Sequence, residues 1–362
     1  MDYNKYLLRD LCFIITKGTT PSTIGFSFTN EGINFIKSEQ LTNQRNIDYQ
    51  KTNYISEDAH ARLSRSILQE NDILISIAGA YLGKLALVNK RDLPANTNQA
   101  VGIIRADEHK ININYLFYYM LSSRIKKIIS NYNAQSAQPN INLNQLGNIE
   151  IFVPNLNQQQ HIVNIIGSID DLIECKFKII SNLYEYGMNL CKNLNGVEEI
   201  KLIDYINIST GKLDANKSVK DGKYPFFTCS ENNLYIDDYA FDTEAILISG
   251  NGSKLGYTNF YKGKFNAYQR TYVLTGNDLF YVWFFSIKFN INKIIEQARG
   301  SAVPYITKPM LENFSISISD NIIENRNLNL NLQNIVYTIL NINNEIQKLT
   351  IIKQKYLNKF FG

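Results

Sequence analysis

Apolar residues recur at steps of three and four in two long stretches. In the first they fall at Ile162, Ile166, Ile169, Ile173, Phe177, Ile180, Leu183, Leu190 and Leu194. In the second they fall at Leu332, Ile335, Ile339, Ile342, Ile346, Leu349, Ile352, Tyr356 and Phe360. This is the a/d spacing of a coiled-coil seam. A stripe this narrow suits a single partner helix, whereas a helix lying on its own domain usually buries a wider face. The preferred expectation is two long helices packed antiparallel on each other; the other reading is that each lies on its own domain. Pro154 ends the strand before the first helix, Asn157 is the expected N-cap with Gln160 three residues on, and Gly196 stands just past the end. About 37 residues at 1.5 Å each make a rod of roughly 55 Å.

Ahead of each helix the periodicity changes. Short β-rich runs, Asp72 to Ala78, Leu85 to Asn89, Val101 to Arg105 and Ala245 to Ser249, alternate with turn residues. Helical segments are expected near Tyr115 to Ser130 and Leu279 to Gln297. Ile149 to Val153 and Phe314 to Ile318 alternate with period two and read as closing strands.

These parts occur twice. Ile73-Leu74-Ile75-Ser76 returns as Ile246-Leu247-Ile248-Ser249, and Gly79 and Gly83 return as Gly252 and Gly256, all at an offset of 173. Asn96 to Gln99 returns as Asn266 to Gln269, offset 170; Lys127-Ile128-Ile129 as Lys293-Ile294-Ile295, offset 166; Ser136 to Ile141 as Ser301 to Ile306, offset 165. An ordered series of this kind argues duplication of one unit of about 170 residues. The expected fold class is mixed α/β: two repeated α/β domains separated by two long antiparallel coiled-coil helices. The expected boundaries are 1–155 and 197–322 for the domains, 156–196 and 323–362 for the helices.

Composition narrows the function classes. The chain has 362 residues, 44% of them hydrophobic, which is room for two domains. Its longest near-continuous apolar run is about eight residues, Phe280 to Ile287, broken only by Ser286, and a bilayer span needs roughly twenty. Met1-Asp2-Tyr3-Asn4-Lys5 does not open like a signal peptide. The four Cys lie far apart without a CxxC pair and read as reduced thiols. A cytoplasmic protein without a membrane partner is expected. The net charge of +4 divides evenly, since 19 Lys/Arg and 17 Asp/Glu in residues 1–195 leave +2 for each half. Two acid-free stretches are locally basic: Lys110, Arg124, Lys126 and Lys127 between Glu108 and Glu150, and Lys254, Lys262, Lys264 and Arg270 between Glu244 and Asp278. Such segments suit an anionic partner such as nucleic acid, although ordinary solvated faces read the same way.

No catalytic constellation accompanies them. Gly79 to Leu85 fails as a P-loop, with three residues between the glycines where four are needed and Leu85 after Lys84. Gly250 to Gly256 fails as a dinucleotide fingerprint because its last spacing is one residue too long. Both read as glycine turns between strands. HExxH and GxSxG are absent, and all seven Pro stand singly, which excludes the Asn-Pro-Pro-aromatic motif of an amino methyltransferase. Three scattered His offer no metal cluster.

The ordered set of blocks resembles the specificity subunit of type I restriction-modification enzymes over nearly the whole chain. Thr16 to Ser22 (TKGTTPS) is similar to the Gly-x-Thr-Pro-Ser turn that opens many of its recognition domains. Thr210 to Asn216, Tyr224 to Ser230, Gly250-Asn251-Gly252 and Phe265 to Thr271 resemble its second recognition domain, and Ser136 to Ile141 with Ile149 to Pro154 the end of the first. The resemblance implies a non-catalytic subunit in which each domain reads one half of a split double-stranded DNA target. The paired helices would set the spacing and seat two modification subunits. Those subunits would carry S-adenosylmethionine for N6-adenine methylation, and a restriction/translocase subunit would bring ATP and Mg; this chain needs no cofactor. The alternative is a stand-alone two-domain DNA-binding regulator or scaffold, although no helix-turn-helix or zinc pattern is present.

Candidate DNA contacts follow from amide and cation chemistry: Gln pairs with adenine, Arg with guanine, and Lys meets phosphate. They are Lys84, Gln135, Gln138, Lys254, Arg270 and Arg299. Domains reading different sequences should differ at base-reading positions. That favours the unmatched Arg270 and Arg299 as readers and leaves the matched Gln99 and Gln269 as scaffold.

Overall fold

A computed structural model of the chain describes residues 3–49, 52–133, 140–192, 194, 196, 198–230, 234–276, 278–298 and 304–362. Contacts divide it into two units, Met1–Cys175 with Ile346–Gly362, and Lys176–Glu345.

The first unit contains β1 (Asn4–Leu7), β2 (Cys12–Lys17), β3 (Ile33–Ile36), β4 (Asn53–Ile55), α1 (Glu57–Arg62), β5 (Ile73–Ser76), β6 (Leu85–Leu87), β7 (Ala95–Thr97), β8 (Val101–Ala106), α2 (Ile113–Met120), α3 (Ser123–Asn133), α4 (Leu143–Gly147) and β9 (Glu150–Val153). It also holds the first part of α5 (Leu156–Lys192). Strand order is β2-β8-β5-β6 in one sheet and β4-β3-β7 in another, with β1 and β9 as a separate ribbon. β5 is buried throughout, and its first three residues are apolar, because it lies between two strands and both its faces are covered. Ile73 and Ile75 enter one core with Tyr115, Leu116 and Phe117 of α2, while Leu74 enters another with Ile36, Ala95 and Val101.

The second unit contains β10 (Glu198–Lys201), β11 (Ile206–Thr210), β12 (Tyr224–Phe227), β13 (Leu234–Ile236), β14 (Phe241–Ser249), β15 (Thr258–Ala267), β16 (Thr271–Gly276), α6 (Phe280–Glu296), α7 (Lys308–Glu312) and β17 (Ser315–Ile318). It also holds the first part of α8 (Ile322–Phe361). Its strands form one sheet, β11-β16-β14-β15-β12-β13, and the ribbon β10-β17. The repeat offsets explain the difference from the first unit. Leu85–Leu87 and Ala95–Thr97 correspond to the two ends of β15. The first unit carries a longer link between them, with a turn at Lys90–Asp92, so a strand continuous in one copy is split in the other and one sheet becomes two. In both copies the added pairing is parallel, β3 with β7 and β12 with β15.

Both long helices form, and they run antiparallel. In the first unit Ile162 and Ile166 share a core with Leu357 and Phe361, and Lys353 Nζ bonds Asp170 Oδ1 at 2.7 Å; positions in α8 fall as those in α5 rise. Several details depart from expectation. The N-cap of α5 is Asn155, whose side chain accepts the Gln158 N–H at 3.0 Å, because the helix starts directly after Pro154 and Asn157 is already inside it. The expected helix near Tyr115 to Ser130 is two helices, since Ser122 begins a new turn, accepting the Lys126 N–H at 3.1 Å on its carbonyl. Phe177 and Ile352, expected on the seam, are exposed, while Lys353, Leu357 and Phe361 are buried. The last turns of α8 face the domain as well as α5: the Phe361 ring lies 5.4 Å from both Tyr115 and Tyr119, and this second neighbour rotates the buried stripe by one residue. Gly196 lies so close to β17 that a Cβ would sit 1.5 Å from the Ile318 carbonyl oxygen, so the close approach itself requires glycine there.

Each domain is fastened to its long helix by a polar cluster of different chemistry. In the first unit Arg45 pairs with Asp170 and Asp171 of α5, and the Tyr118 hydroxyl donates to Asp170 at 3.0 Å. In the second, Glu244 accepts from Lys262 at 2.7 Å and from Tyr281 and Tyr337 at 2.6 Å each.

Candidate nucleic-acid interface

The glycine turns are the tips of two hairpins, β5-β6 and β14-β15, and their backbones match bond for bond. Gly83 N–H donates to Ser76 O at 2.8 Å, and Gly256 N–H to Ser249 O at 2.8 Å. Ser76 N–H reaches Lys84 O at 2.8 Å, and Ser249 N–H reaches Tyr257 O at 3.0 Å. Leu82 N–H closes on Gly79 O, and Leu255 N–H on Gly252 O, at 3.1 Å in both. Gly79, Gly83, Gly252 and Gly256 take φ of +77°, +81°, +77° and +77°, the left-handed region in which a side chain is strained. The repeated glycines are therefore demanded by turn geometry.

Neighbouring segments complete each tip in the same way. Ile77 N–H donates to Ala100 O, and Gly250 N–H to Arg270 O, at 2.8 Å in both. Ile141 and Ile306 N–H donate to Ile77 O and Gly250 O. Gly18 and Gly211 each pass so close to a facing strand that a Cβ would stand within 2 Å of a carbonyl oxygen, Thr97 O and Ala267 O respectively. Thr20 donates to Gln99, and Gln269 donates to Asp214 at 2.7 Å. Both matched glutamines thus bond to the loop that follows the first sheet strand of their domain, after β2 and after β11.

Among the candidate contacts, Arg270 and Lys254 are brought to one tip. Arg270 is exposed, and its backbone holds Gly250 and accepts the Cys229 thiol at 3.4 Å; its counterpart in the first domain is Ala100, so the main chain is shared while the side chain differs. Lys254 is half-buried with its ammonium 5.7 Å from the Tyr257 ring. Lys84 stands at the other tip, half-buried, 4.7 Å from the Tyr81 ring. Gln135, Gln138 and Arg299 lie outside the described residues. Sequence reasoning passed over the aromatic partners Tyr81 and Tyr257. The signal was present: at offset 173, Tyr81 corresponds to Lys254 and Lys84 to Tyr257. It also passed over Lys288 of α6, whose Nζ donates to Thr258 O at 2.9 Å and stands 4.6 Å from the Tyr184 ring. Burial lowers its pKa to about 8.

Nucleophilic chemistry finds no support in the cysteines that shift: burial pushes the Cys12 thiol up to about 12 and the Cys191 thiol up to about 11. Among the described residues, no group of three or more His, Cys, Asp and Glu is placed to hold a metal ion. Nor is any helix among them long and apolar enough to cross a membrane.

The family model for the type I restriction modification DNA specificity domain matches residues 1–184 and again 195–350. The chain belongs to this family. The double match coincides with the internal repeat. The EcoDI specificity subunit of Escherichia coli is 47% identical over 122 residues, a stretch covering 33% of this chain and 27% of that protein. The MjaIX specificity subunit of Methanocaldococcus jannaschii is 23% identical over 96% of this chain and 90% of its own length. The crystal structure of the type I restriction-modification S subunit from M. genitalium shares the fold, with a TM-score of 0.54 at 17% identity over 100% of this chain and 96% of that one.

Proposed function

We propose that this chain is the DNA-specificity subunit of a type I restriction-modification system. Its domains, residues 1–155 and 197–322, each read one half of a split target in double-stranded DNA; its helices, 156–196 and 323–362, hold the halves apart and seat two modification subunits. Methylation of adenine at N6, using S-adenosylmethionine, belongs to those partners. ATP-driven translocation and cleavage belong to a restriction subunit. This chain contributes recognition without catalysis, in the cytoplasm. The observation that carries the reading is one hairpin tip built twice with the same hydrogen bonds, in two domains of a chain that the specificity-domain family matches twice. The stand-alone regulator has no comparable observation on its side.

Arg270 and Arg299 are assigned to base edges, Gln135 and Gln138 to bases in the first half-site, and Lys84 and Lys254 to phosphate. The decisive experiment maps methylated adenines in host DNA with and without the chain, then with residues 197–320 replaced by the corresponding segment of another family member. Loss of methylation without the chain, and a change confined to one half of the methylated sequence on replacement, are expected. Changes in both halves would overturn the division of reading. In the same assay Arg270→Ala is expected to cost about 1–3 kcal/mol and relax one base position.

A further inference from the structure

The two hairpin tips carry one cation–aromatic pair each, and the two residues exchange places between the copies. In the first domain the aromatic residue comes first and the cation three residues later, Tyr81 and Lys84; in the second the order is Lys254 then Tyr257. The backbones that present them are hydrogen-bonded alike, so the four side chains leave equivalent points of equivalent turns. In each case the ammonium stands over the ring, at 4.7 Å and 5.7 Å from its centroid, within the range of a cation–π contact. Tyr257 remains 52% exposed.

The exchange limits what the pair can be for. Base-reading side chains should differ between domains that read different half-sites, as Ala100 and Arg270 differ. Backbone requirements are met by the glycines, which keep their positions. What recurs here, independent of its position in the chain, is a tip lysine whose ammonium rests on a tip ring; at the second tip Lys288 Nζ of α6 also stands 6.0 Å from the Tyr257 ring. The part of the ligand common to both half-sites is the phosphate backbone, for which a lysine is a suitable point charge. A ring beneath the ammonium restricts a long side chain before binding and so reduces the rotamer entropy lost when a phosphate is engaged.

We propose that Lys84 on Tyr81 and Lys254 on Tyr257 are paired phosphate seats, one per domain, that grip the DNA backbone without regard to sequence. This rests on the reading of the hairpin tips as DNA-facing. Lys254 and Arg270, on adjoining segments of the second tip, then divide the labour between phosphate and base.

The test measures binding of the full chain, assembled with its modification subunits, to a duplex carrying the mapped target and to a random-sequence duplex, over a series of KCl concentrations. Lys84→Gln and Lys254→Gln are each expected to lower the slope of log K against log salt by about one. Both duplexes should weaken by the same factor, and the methylated sequence should stay unchanged. The exchanged doubles, Tyr81→Lys with Lys84→Tyr and Lys254→Tyr with Tyr257→Lys, are expected to keep the wild-type slope and to bind within about twofold of wild type, because each domain then carries the other's arrangement. An unchanged slope in the Gln variants, or relaxation at one base position, would overturn the proposal. So would exchanged doubles that bind as poorly as the Gln variants while melting at the wild-type temperature. A wild-type assembly with no preference for the target would instead remove the proposed function beneath it.

Discussion

Gly83 and Gly256 share a backbone conformation but not a neighbourhood. A Cβ at Gly83 would meet Ile129 Cδ1 at 3.6 Å, an ordinary contact; at Gly256 it would stand 2.4 Å from Ile295 Cδ1 and 3.0 Å from Ile291 Cγ1. Both substitutions to Ala incur the left-handed strain of about 1–2 kcal/mol. Gly256→Ala must also displace Ile295 and Ile291, so it is expected to lower the melting temperature more than Gly83→Ala. Equal shifts would mean that the isoleucines yield freely. Lys288 provides a pH test. Its folded pKa of about 8 lies below the ordinary lysine value of 10.5, so between the two the unfolded chain binds more protons and stability rises with pH. Below pH 8 the fold carries the desolvation of the ammonium, about 3 kcal/mol, with the bond to Thr258 O and the Tyr184 ring as its compensating contacts. Lys288→Met is therefore expected to stabilise more at pH 7 than at pH 10 in thermal unfolding. The same shift at both values would show that burial does not disfavour the charge.

Within α5 and α8 the informative pair is buried and charged. Asp170 and Lys353 are both more than nine-tenths buried; burial lowers the pKa of Lys353 although Asp170 opposes it. Breaking such a pair typically costs about 3–5 kcal/mol, whereas replacing both partners with apolar residues is often neutral. Here the two single changes are unequal. Asp170→Leu strands Lys353 and takes a partner from Arg45 and Tyr118, while Lys353→Met leaves Asp170 with both of those. Asp170→Leu is expected to be the more destabilising in urea denaturation, with Asp170→Leu plus Lys353→Met less so than Asp170→Leu alone. Additive losses would mean that the pair is not coupled. This cluster also marks where periodicity stops informing. A heptad count places Ile352 on the seam, since it registers apolarity and spacing alone; Lys353 takes the buried stripe because an acid and a phenol from two other elements await it.

For the molecule as a whole, the proposal makes the helices a ruler. One heptad adds about 10 Å of helix, and DNA rises about 3.4 Å per base pair. Inserting a heptad after Ile180, with a second at the facing point of α8 near Asn341, is expected to lengthen the spacer of the methylated sequence by about three base pairs while leaving both half-sites intact. An unchanged spacer with methylation retained would show that spacing is set elsewhere.

The duplication, the two helices, the closing strands and the glycine turns are all legible in the amino-acid sequence. Each is written in relations internal to a segment or repeated at a fixed offset: a period of 3.5, an alternation of two, a glycine where φ must be positive. Whether β6 and β7 are two strands or, as in β15, one could not be read that way, because it depends on how a link of a few residues lets the chain rejoin a sheet. The caps at Asn155 and Ser122, the buried Lys353 and the ring beneath each hairpin lysine were likewise decided in three dimensions. Local pattern specifies which residues must leave water and with what period. Which polar group may accompany them is set by the partners that tertiary packing brings within hydrogen-bonding distance.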